Sequence, residues 1–452
     1  MKCLLLLSLC IALMRCSSSD DPEADATVVQ APATPLSFTI HPDVAYQRIR
    51  GFGAMLNPYY WTSAKVTAAD IDLAYGQDGL GLNILRFMVY PGTSEYGNDI
   101  PRIKQAQSLG AILLGTPWNA PDDMRDAEKR IKTEKLPDYA LHLKDMITYL
   151  KSQGVNPDVL SIQNEPDIDN PSWTRWTATQ VADFLAAYPQ SYFGDNLQIM
   201  TPESMGFNKS YYDPVLNRTD ALDHTDIVGF HIYGTSRYAG FAYTTATRKG
   251  KELWMTEHLY NDDATEPGKE KPVANSKSGF DWEWIPSLER VAKDIHHCMA
   301  NNHSAYIYWY LKRYYGLIDE SAEHSKRGDG KVRSLFEEGK PTCRACILSH
   351  YAKYATGKTR IDVTTPEKAD NLFVTAYAND DRKEYAIVAL NTQPGARIVE
   401  FTLPAAAVSA TAQSSSETAG MMKDAPVVLT SDGKKGKVTI AGYGIISVRI
   451  GF

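Results

Sequence analysis

Eight short apolar runs, most of them separated by longer amphipathic segments, recur up to residue 311 of this 452-residue chain. This alternation is typical of repeated strand–helix units built on a parallel sheet. The predicted strands are a segment near Gly51 and residues 83–89, 111–116, 159–163, 197–200, 227–233, 253–256 and 305–311. The predicted helices include residues 136–153, 177–187 and 284–301. Eight such units in about 300 residues predict an α/β fold of the (β/α)8 TIM-barrel type, with its chemistry at the carboxyl ends of the strands.

The pattern changes after residue 360, where turns rich in Asp, Gly, Ser and Pro separate short runs of alternating apolar and polar residues. Such runs are typical of an antiparallel β-sandwich, and residues 36–48 are predicted to contribute a strand to it. We therefore expect a catalytic barrel at residues 49–360 and an associated β-sandwich side domain at residues 361–452. The predicted sandwich strands are residues 371–377, 384–391, 398–403, 427–430 and 444–450.

The first residues have the composition of a targeting segment. Lys2 is followed by an apolar run at residues 4–14 and then by Cys16. This order resembles a bacterial lipoprotein signal, residues 1–16, in which Cys16 becomes the lipidated first residue. Residues 17–35 are rich in Ser, Asp, Ala and Pro and predict a flexible tether. The expected location is the outer membrane or cell surface; an ordinary signal peptide cut slightly later would give a periplasmic or secreted protein.

Composition and charge exclude several other classes. The formal charge is −7 and no basic run is present, so a nucleic-acid partner is not expected. Cys343 and Cys346 have the spacing of half a zinc site, with His350 nearby, but no second ligand pair completes it. A local disulfide or two thiols on a helix is the preferred interpretation. We expect neither a metal nor an organic cofactor, and contact with a membrane only through the lipid anchor.

Two of the predicted strands deliver a glutamate at their carboxyl ends. Glu165 follows the run 159–163, and Glu257 follows the run 253–256. A glycosidase needs two such carboxyl groups, because one protonates the leaving oxygen while the other attacks or stabilises the sugar cation. The alternative is that both glutamates are members of buried ion pairs at strand ends.

With these glutamates and strands, residues 38–452 resemble glycoside hydrolase family 30, which belongs to a large clan of retaining (β/α)8 glycosidases. The resemblance implies that Glu165 is the general acid/base and Glu257 the nucleophile, with carboxyl groups about 5 to 5.5 Å apart. It places Asn164 against the sugar 2-hydroxyl. A nucleophile must stay ionised, so Glu257 needs hydrogen-bond donors, and His231 or Tyr233 from the preceding strand are the candidates, both counted among the substrate-binding residues. The motifs that carry it are Arg50-Gly-Phe-Gly53, Thr116-Pro-Trp118, Gln163-Asn-Glu-Pro-Asp167, His231-Ile-Tyr233, Trp254-Met-Thr-Glu-His258 and Trp309-Tyr-Leu-Lys-Arg-Tyr-Tyr-Gly316.

The last of these motifs is similar to the one that glucuronoxylanases of this family carry at the eighth barrel strand. The resemblance implies that Arg313 binds the carboxylate of a (4-O-methyl)glucuronate side group and that Tyr315 assists. A planar guanidinium suits that task because it offers a carboxylate two donors at once. The alternative is a rim arginine paired with Asp319 or Glu320.

Several aromatic residues are candidates for the walls of a sugar cleft. Trp118 follows a predicted strand end and is expected to form a wall of the subsite, and Trp309 opens the strand-eight motif. Trp173, Trp176 and Tyr260 lie on neighbouring predicted loops and could stack on further sugars.

The function implied by the resemblance is a retaining endo-β-1,4-xylanase that cleaves the polysaccharide glucuronoxylan by recognising its (4-O-methyl)glucuronate side group. The protein is expected to be a monomer. Two alternatives stay open. One is another β-glycosidase of the family, such as a β-1,6-glucanase, a glucosylceramidase-like enzyme or a β-xylosidase. The other is a non-catalytic surface lipoprotein that binds glycans.

Overall fold

A long first strand, β1 (Leu36–Arg48), precedes eight parallel strands that close into a barrel. Each barrel strand pairs in parallel with its sequence neighbours, and the last pairs with the first, as predicted. The barrel strands are β2 (Gly51–Met55), β3 (Ile84–Val89), β4 (Ile112–Pro117), β5 (Val159–Ser161), β6 (Gln198–Met200), β7 (Ile227–His231), β8 (Glu252–His258) and β9 (His303–Tyr308).

The computed structural model describes residues 34–61, 64–170, 172–235, 238–260, 279–320, 337–417 and 419–452. The predicted signal peptide, its Cys16 and residues 17–33 of the predicted tether lie outside these ranges. No helix within these ranges is both long enough and apolar enough to cross a membrane.

The inside of the barrel is filled by side chains rather than open. Buried residues from seven of the strands form one cluster inside the barrel, because alternate residues of each strand point inward. Gly53 on β2 has no room for a side chain, since a Cβ atom there would lie 2.0 Å from the carbonyl oxygen of Ile84. The cluster consists of Ile84, Leu114, Val159, Met200, Ile227, Trp254, Ala305 and Ile307.

Helices cover the outside of the barrel. The predicted helix 136–153 is α3, and the predicted helix 177–187 is α4, whose N-terminal amide at Gln180 donates to the Thr177 hydroxyl in a capping box. The predicted segment 284–301 is largely helical, with a π-helical turn, Leu288–Ala292, between two α-helices. The α-helices are α1 (Ala68–Tyr75), α2 (Asp99–Ser108), α3 (Leu136–Ser152), α4 (Ala178–Ala187), α5 (Gln190–Phe193), α6 (Lys209–Leu216), α7 (Thr219–Asp223), α8 (Thr244–Arg248), α9 (Gly279–Ser287), α10 (Lys293–Ala300) and α11 (Cys343–Ala355).

The remaining strands form a ten-stranded sheet with β1, in the order β15-β14-β18-β12-β11-β10-β1-β13-β17-β16. Its strands enclose a second hydrophobic core that includes Phe38, Ile387 and Phe401. The pairs are antiparallel except β1 with β13, which run parallel with Phe38 opposite Phe401. The strands are β10 (Thr359–Thr364), β11 (Leu372–Ala378), β12 (Glu384–Asn391), β13 (Arg397–Thr402), β14 (Ser409–Ser416), β15 (Gly420–Ala425), β16 (Val427–Leu429), β17 (Lys435–Ile440) and β18 (Gly444–Gly451).

Four sheet strands are missing from the sequence prediction: β10, β14, β15 and β17. Strand β14, Ser409–Ser416, consists of Ser, Ala, Thr and Gln. Its residues therefore show almost none of the alternation of apolar and polar residues that predicts a strand. It forms because β15 and β18 supply hydrogen-bonding partners on its two sides.

Helix α11 packs between the barrel and the sheet and carries Cys343 and Cys346, so the two cysteines lie on one helix as preferred. The zinc alternative does not fit the surroundings. Both ring nitrogens of His350 lie 2.8 Å from serine hydroxyls, those of Ser447 and Ser415. Cys346 Sγ lies 3.2 Å from the same Ser415 hydroxyl.

Candidate active site

Glu165 and Glu257 meet at the carboxyl ends of the barrel strands, as the sequence predicts. Glu257 lies within β8, and Glu165 follows β5, where its amide donates to the carbonyl of Glu203 at 2.8 Å. Both are nearly buried, at 4% and 6% exposed. One carboxylate oxygen of each lies within 4.8 Å of the other, which is the close spacing of a retaining pair rather than the wider spacing of an inverting one.

The backbone of Glu165 has a left-handed conformation, with φ of 39°. For a residue with a side chain this costs on the order of 1–3 kcal/mol, and such residues concentrate at functional sites. Neighbouring strands hold the turn, because the amide of Asn164 donates to the carbonyl of Pro117 at 2.8 Å. The scaffold therefore keeps Glu165 in place against a local preference.

Arg86, on β3, contacts Glu257 as well as Asn164, the neighbour of Glu165. Its Nη1 donates to Oε2 of Glu257 at 2.6 Å, and its Nη2 donates to Oδ1 of Asn164 at 2.7 Å. Nη2 also lies 3.1 Å from Oε2 of Glu203. Because an arginine only donates, it fixes which way the Asn164 amide points and leaves the Nδ2 group for another acceptor. This fits the expected contact of Asn164 with a sugar hydroxyl.

Of the two candidate donors to Glu257, His231 is fully buried and contacts Glu165 instead. Its Nδ1 is 2.7 Å from Oε1 of Glu165, whereas its Nε2 is 3.8 Å from Glu257, beyond hydrogen-bonding distance. The ring has no exposed surface, so His231 supports Glu165 from behind rather than touching a sugar. The expected donor to Glu257 is Tyr233, whose hydroxyl donates to Oε1 at 3.2 Å. The sequence pattern could not distinguish the two because both lie on the same strand end.

Glu203 is a third carboxylate, and with Glu165, Glu257, Arg86 and His231 it forms a buried charged cluster. It follows β6, has no exposed surface, accepts from the Thr116 hydroxyl at 2.9 Å and lies 3.5 Å from His231 Nε2. Burial would raise the pKa of Glu203, but the charges of Arg86 and His231 outweigh burial and hold it at about 2. Glu203 therefore stays ionised.

The same surroundings shift the other groups. Burial opposes a charged imidazole, yet Glu257, Glu165 and Glu203 together raise the pKa of His231 to about 9. Burial raises the pKa of Glu257 above its usual value, and the positive charges of His231 and Arg86 counter part of that rise. At neutral pH, His231 is therefore an imidazolium.

These charges limit how many protons the cluster holds. Arg86 and His231 supply two positive charges against three carboxyl groups, so the cluster is neutral when one carboxyl group is protonated. A retaining glycosidase starts from one protonated and one ionised carboxyl group, and the division of these roles between Glu165 and Glu257 remains a prediction from the sequence.

Glu165, His231 and Glu257 are also close enough to act together on a cation. However, Arg86 already places its positive charge 2.6 Å from Glu257, and ion pairing accounts for the grouping. The absence of a metal remains a prediction from the sequence.

Aromatic rings form the walls around these carboxylates. The rings of Trp118 and Trp309 lie 4.6 Å and 5.8 Å from the Arg86 guanidinium carbon and 5.9 Å from each other. Trp118 is only 4% exposed, so Trp309, which is half-buried, presents more surface to a ligand. Trp173 is half-buried in the same aromatic cluster. Trp176 is a core residue, packed edge-on against Tyr139 at 5.3 Å, and cannot stack on a sugar.

Arg313 and Tyr315 lie on the loop after β9. The Arg313 guanidinium carbon is 4.4 Å from the Trp61 ring and 5.9 Å from the Tyr315 ring. Its Nη1 is 3.8 Å from Oε2 of Glu320, which is within ion-pair range but too long for a hydrogen bond. The alternative, in which Arg313 pairs with Glu320, is therefore supported only as a long ion pair without a hydrogen bond.

Arg86 and Glu203 were not among the predicted site residues. Arg86 is a charged residue in the middle of the apolar run 83–89, and a charge in a buried strand needs a partner. Glu203 follows the predicted strand 197–200, at the position where barrel strands present their chemistry. Both signals are present in the sequence, but neither of them shows that Arg86 and Glu203 lie next to each other in the fold.

Comparison with known proteins identifies relatives. No protein-family model matches the chain. The chain is 34% identical over 367 residues to the glucuronoxylanase XynC of Bacillus subtilis (strain 168), across 78% of this chain and 77% of that protein. The solved structure of Xyn30A, a glycoside hydrolase family 30 subfamily 8 xylanase from Clostridium acetobutylicum, has a TM-score of 0.74 at 26% identity and covers 92% of this chain and 100% of its own. For a family 30 endoxylanase from Clostridium papyrosolvens C71, the TM-score is 0.73 at 28% identity, with the same coverage.

The fold and the paired carboxylates define a (β/α)8 glycoside hydrolase with a β-sandwich side domain. The chain belongs to glycoside hydrolase family 30.

Proposed function

We propose that this enzyme is a retaining endo-β-1,4-xylanase that cleaves glucuronoxylan next to a (4-O-methyl)glucuronate side group. The relatives named above, glucuronoxylanases and xylanases, support the substrate class. The observation that carries the glucuronate part is the position of Arg313, a cation whose side chain is 26% exposed beside the cleft aromatics.

In the proposed reaction, Glu165 gives its proton to the glycosidic oxygen while a carboxylate oxygen of Glu257 bonds to the anomeric carbon. The bond to the leaving sugar breaks, and a glycosyl-enzyme ester remains. Glu165 then takes a proton from water, whose oxygen attacks the same carbon and releases Glu257. The spacing within 4.8 Å supports direct attack, because it leaves no room for a water molecule between carboxylate and sugar.

Three features support Arg313 as the carboxylate ligand. Stacking on Trp61 fixes the plane of the guanidinium, which favours two parallel hydrogen bonds to a carboxylate. The Arg313 side chain is 26% exposed, and the 3.8 Å between its Nη1 and Glu320 Oε2 is too long for a hydrogen bond. Lys312 does not compete for a ligand, because its Nζ is buried 3.0 Å from Asp70.

The experiment that tests this function is a parallel digestion of glucuronoxylan and an undecorated xylan, with identification of the products. We expect cuts at positions set by glucuronate and little attack on the undecorated polymer. Equal attack on both polymers would contradict glucuronate recognition and indicate a general xylanase. Failure to cleave either polymer would contradict the proposed function.

We also propose that the protein is a monomer anchored to a bacterial surface through lipid on Cys16. The apolar run at residues 4–14 and the cysteine after it support this. Incorporation of labelled palmitate that is lost in Cys16→Ser is the expected result, and labelling that persists in that variant would contradict the site. Light scattering of the chain without residues 1–33 tests the monomer.

A further inference from the structure

A cavity of about 310 Å³ lies beside the cleft, at the same end of the barrel as the catalytic glutamates. It is lined by the residues that follow β2, among them Asn57, Tyr59 and Trp61, and by the starts of α1 and α2, including Lys65 and Asn98. We infer that this cavity is an additional subsite that binds one more xylosyl residue of the polymer, beyond the sugar that Arg313 selects. This inference rests on the proposed xylanase function.

The cavity has the chemistry of a sugar subsite. It combines aromatic surface from Tyr59 and Trp61 with polar side chains of Asn98, Lys65 and Arg102. A pentose presents hydroxyl groups on its edge and C–H groups on its faces, so it needs both kinds of surface. The cavity volume also falls within the usual range for small-molecule sites.

Two aromatic residues that follow β2, Tyr59 and Trp61, line the cavity, and Tyr60 lies between them in the chain. Tyr59, Tyr60 and Trp61 follow β2, and the Tyr59 and Tyr60 rings meet edge to face at 5.4 Å. The Tyr60 ring is 53% exposed. Catalysis by the glutamates does not require these rings.

The cavity wall is rigid. Asp99 is 6% exposed and accepts from the Tyr90 hydroxyl at 2.5 Å, and the Tyr90 ring packs edge-on against Tyr59 at 5.5 Å. The Asn57 side chain exchanges two hydrogen bonds with the backbone of Lys312, at 2.5 and 3.0 Å. The cavity rim is thereby joined to the loop that carries Arg313, and a rigid platform binds a sugar at a lower entropic cost.

Trp61 connects the cavity to the cleft. It lines the cavity, lies 4.4 Å from Arg313 and packs against Tyr310 at 4.5 Å. It also belongs to the aromatic cluster that contains Trp118 and Trp309. Trp61 therefore borders both the cavity and Arg313, which places the cavity on the side of the cleft where Arg313 lies.

The test compares two glucuronate-bearing xylo-oligosaccharides that differ by one xylose at the end directed toward the cavity. The quantity measured is the ratio of kcat/KM for the longer to the shorter substrate. Stacking and one or two hydrogen bonds predict a wild-type ratio of about ten. Asn98→Trp should bring the ratio close to one by filling the cavity. Asn98 is exposed and its side chain does not cap α2, so the change spares that helix.

Ala68→Trp fills the cavity from α1 and should have the same effect. Leu141→Trp is the control, because Leu141 is 50% exposed on α3, is absent from the cavity lining and should keep the wild-type ratio. A wild-type ratio near one, or a ratio of about ten that survives both filling variants, would overturn the subsite. Wild-type protein that cleaves neither substrate would overturn the proposed function and the subsite with it, so the two failures are distinguishable.

Discussion

Arg86 Nη1 lies 2.6 Å from Oε2 of Glu257, and the Arg86 side chain has no exposed surface. The same guanidinium holds Asn164 and lies 3.1 Å from Glu203. One buried cation thus compensates two buried carboxylates and orients an amide at the site. A buried charge that loses its partner is far more costly than a surface charge, so this cluster couples folding to catalysis.

Arg86→Leu should lower both stability and activity. It leaves Glu203 and Glu257 buried without their closest cation, which costs about 3–5 kcal/mol. Urea unfolding monitored by tryptophan fluorescence measures the loss. Arg86→Leu combined with Glu203→Leu should recover part of that stability, because it removes one uncompensated charge. An unchanged free energy of unfolding in Arg86→Leu would contradict this account of the cluster.

Glu257→Ala should abolish hydrolysis while binding of the polymer stays measurable. Loss of a nucleophile removes the covalent route, so we expect kcat to fall by about 10⁴ or more. Reducing-sugar release and affinity electrophoresis measure the two properties. Glu252→Ala is the matched control, since Glu252 begins the same strand at the opposite end of the barrel. Turnover that persists in Glu257→Ala would refute the nucleophile assignment and reopen the non-catalytic alternative.

His231 should make stability depend on pH in the alkaline range. Its pKa is about 9 in the folded protein, against about 6.5 in the unfolded chain. Below pH 6.5 both states are protonated and the stabilisation is complete. Between pH 6.5 and 9 only the folded state keeps the proton, so the free energy of unfolding should fall by up to about 1.4 kcal/mol per pH unit. Unfolding of wild type and His231→Gln across this range checks it, and equal slopes would contradict it.

Arg313→Lys should show whether binding of the glucuronate carboxylate depends on the planar guanidinium or only on the positive charge. The lysine keeps the positive charge but loses the planar pair of donors and the stacking on Trp61. We expect kcat/KM on glucuronoxylan to fall by about tenfold or more, since a bidentate charged contact is worth at least about 1.4 kcal/mol. Activity on undecorated xylan should not change. Equal losses on both polymers would indicate a structural role.

Much of the fold could be predicted from the sequence because its signals are local. Each barrel strand is an apolar run, and α3 and α4 carry a helical apolar spacing. Strand β14 could not be predicted, since its Ser and Ala residues gain their strand conformation only from β15 and β18. The parallel pairing of β1 with β13 joins residues about 360 positions apart, which no local pattern records.

The sequence by itself determined the fold class and the two candidate catalytic glutamates, because the first rests on local apolar runs and the second on short motifs at strand ends. Only the tertiary structure decided their partners: Arg86 with Glu257, and His231 with Glu165. The physical reason is that burial and charge act through space. Arg86 and Glu257 come together across the barrel from β3 and β8, and their energy depends on a distance that exists only once the barrel has closed.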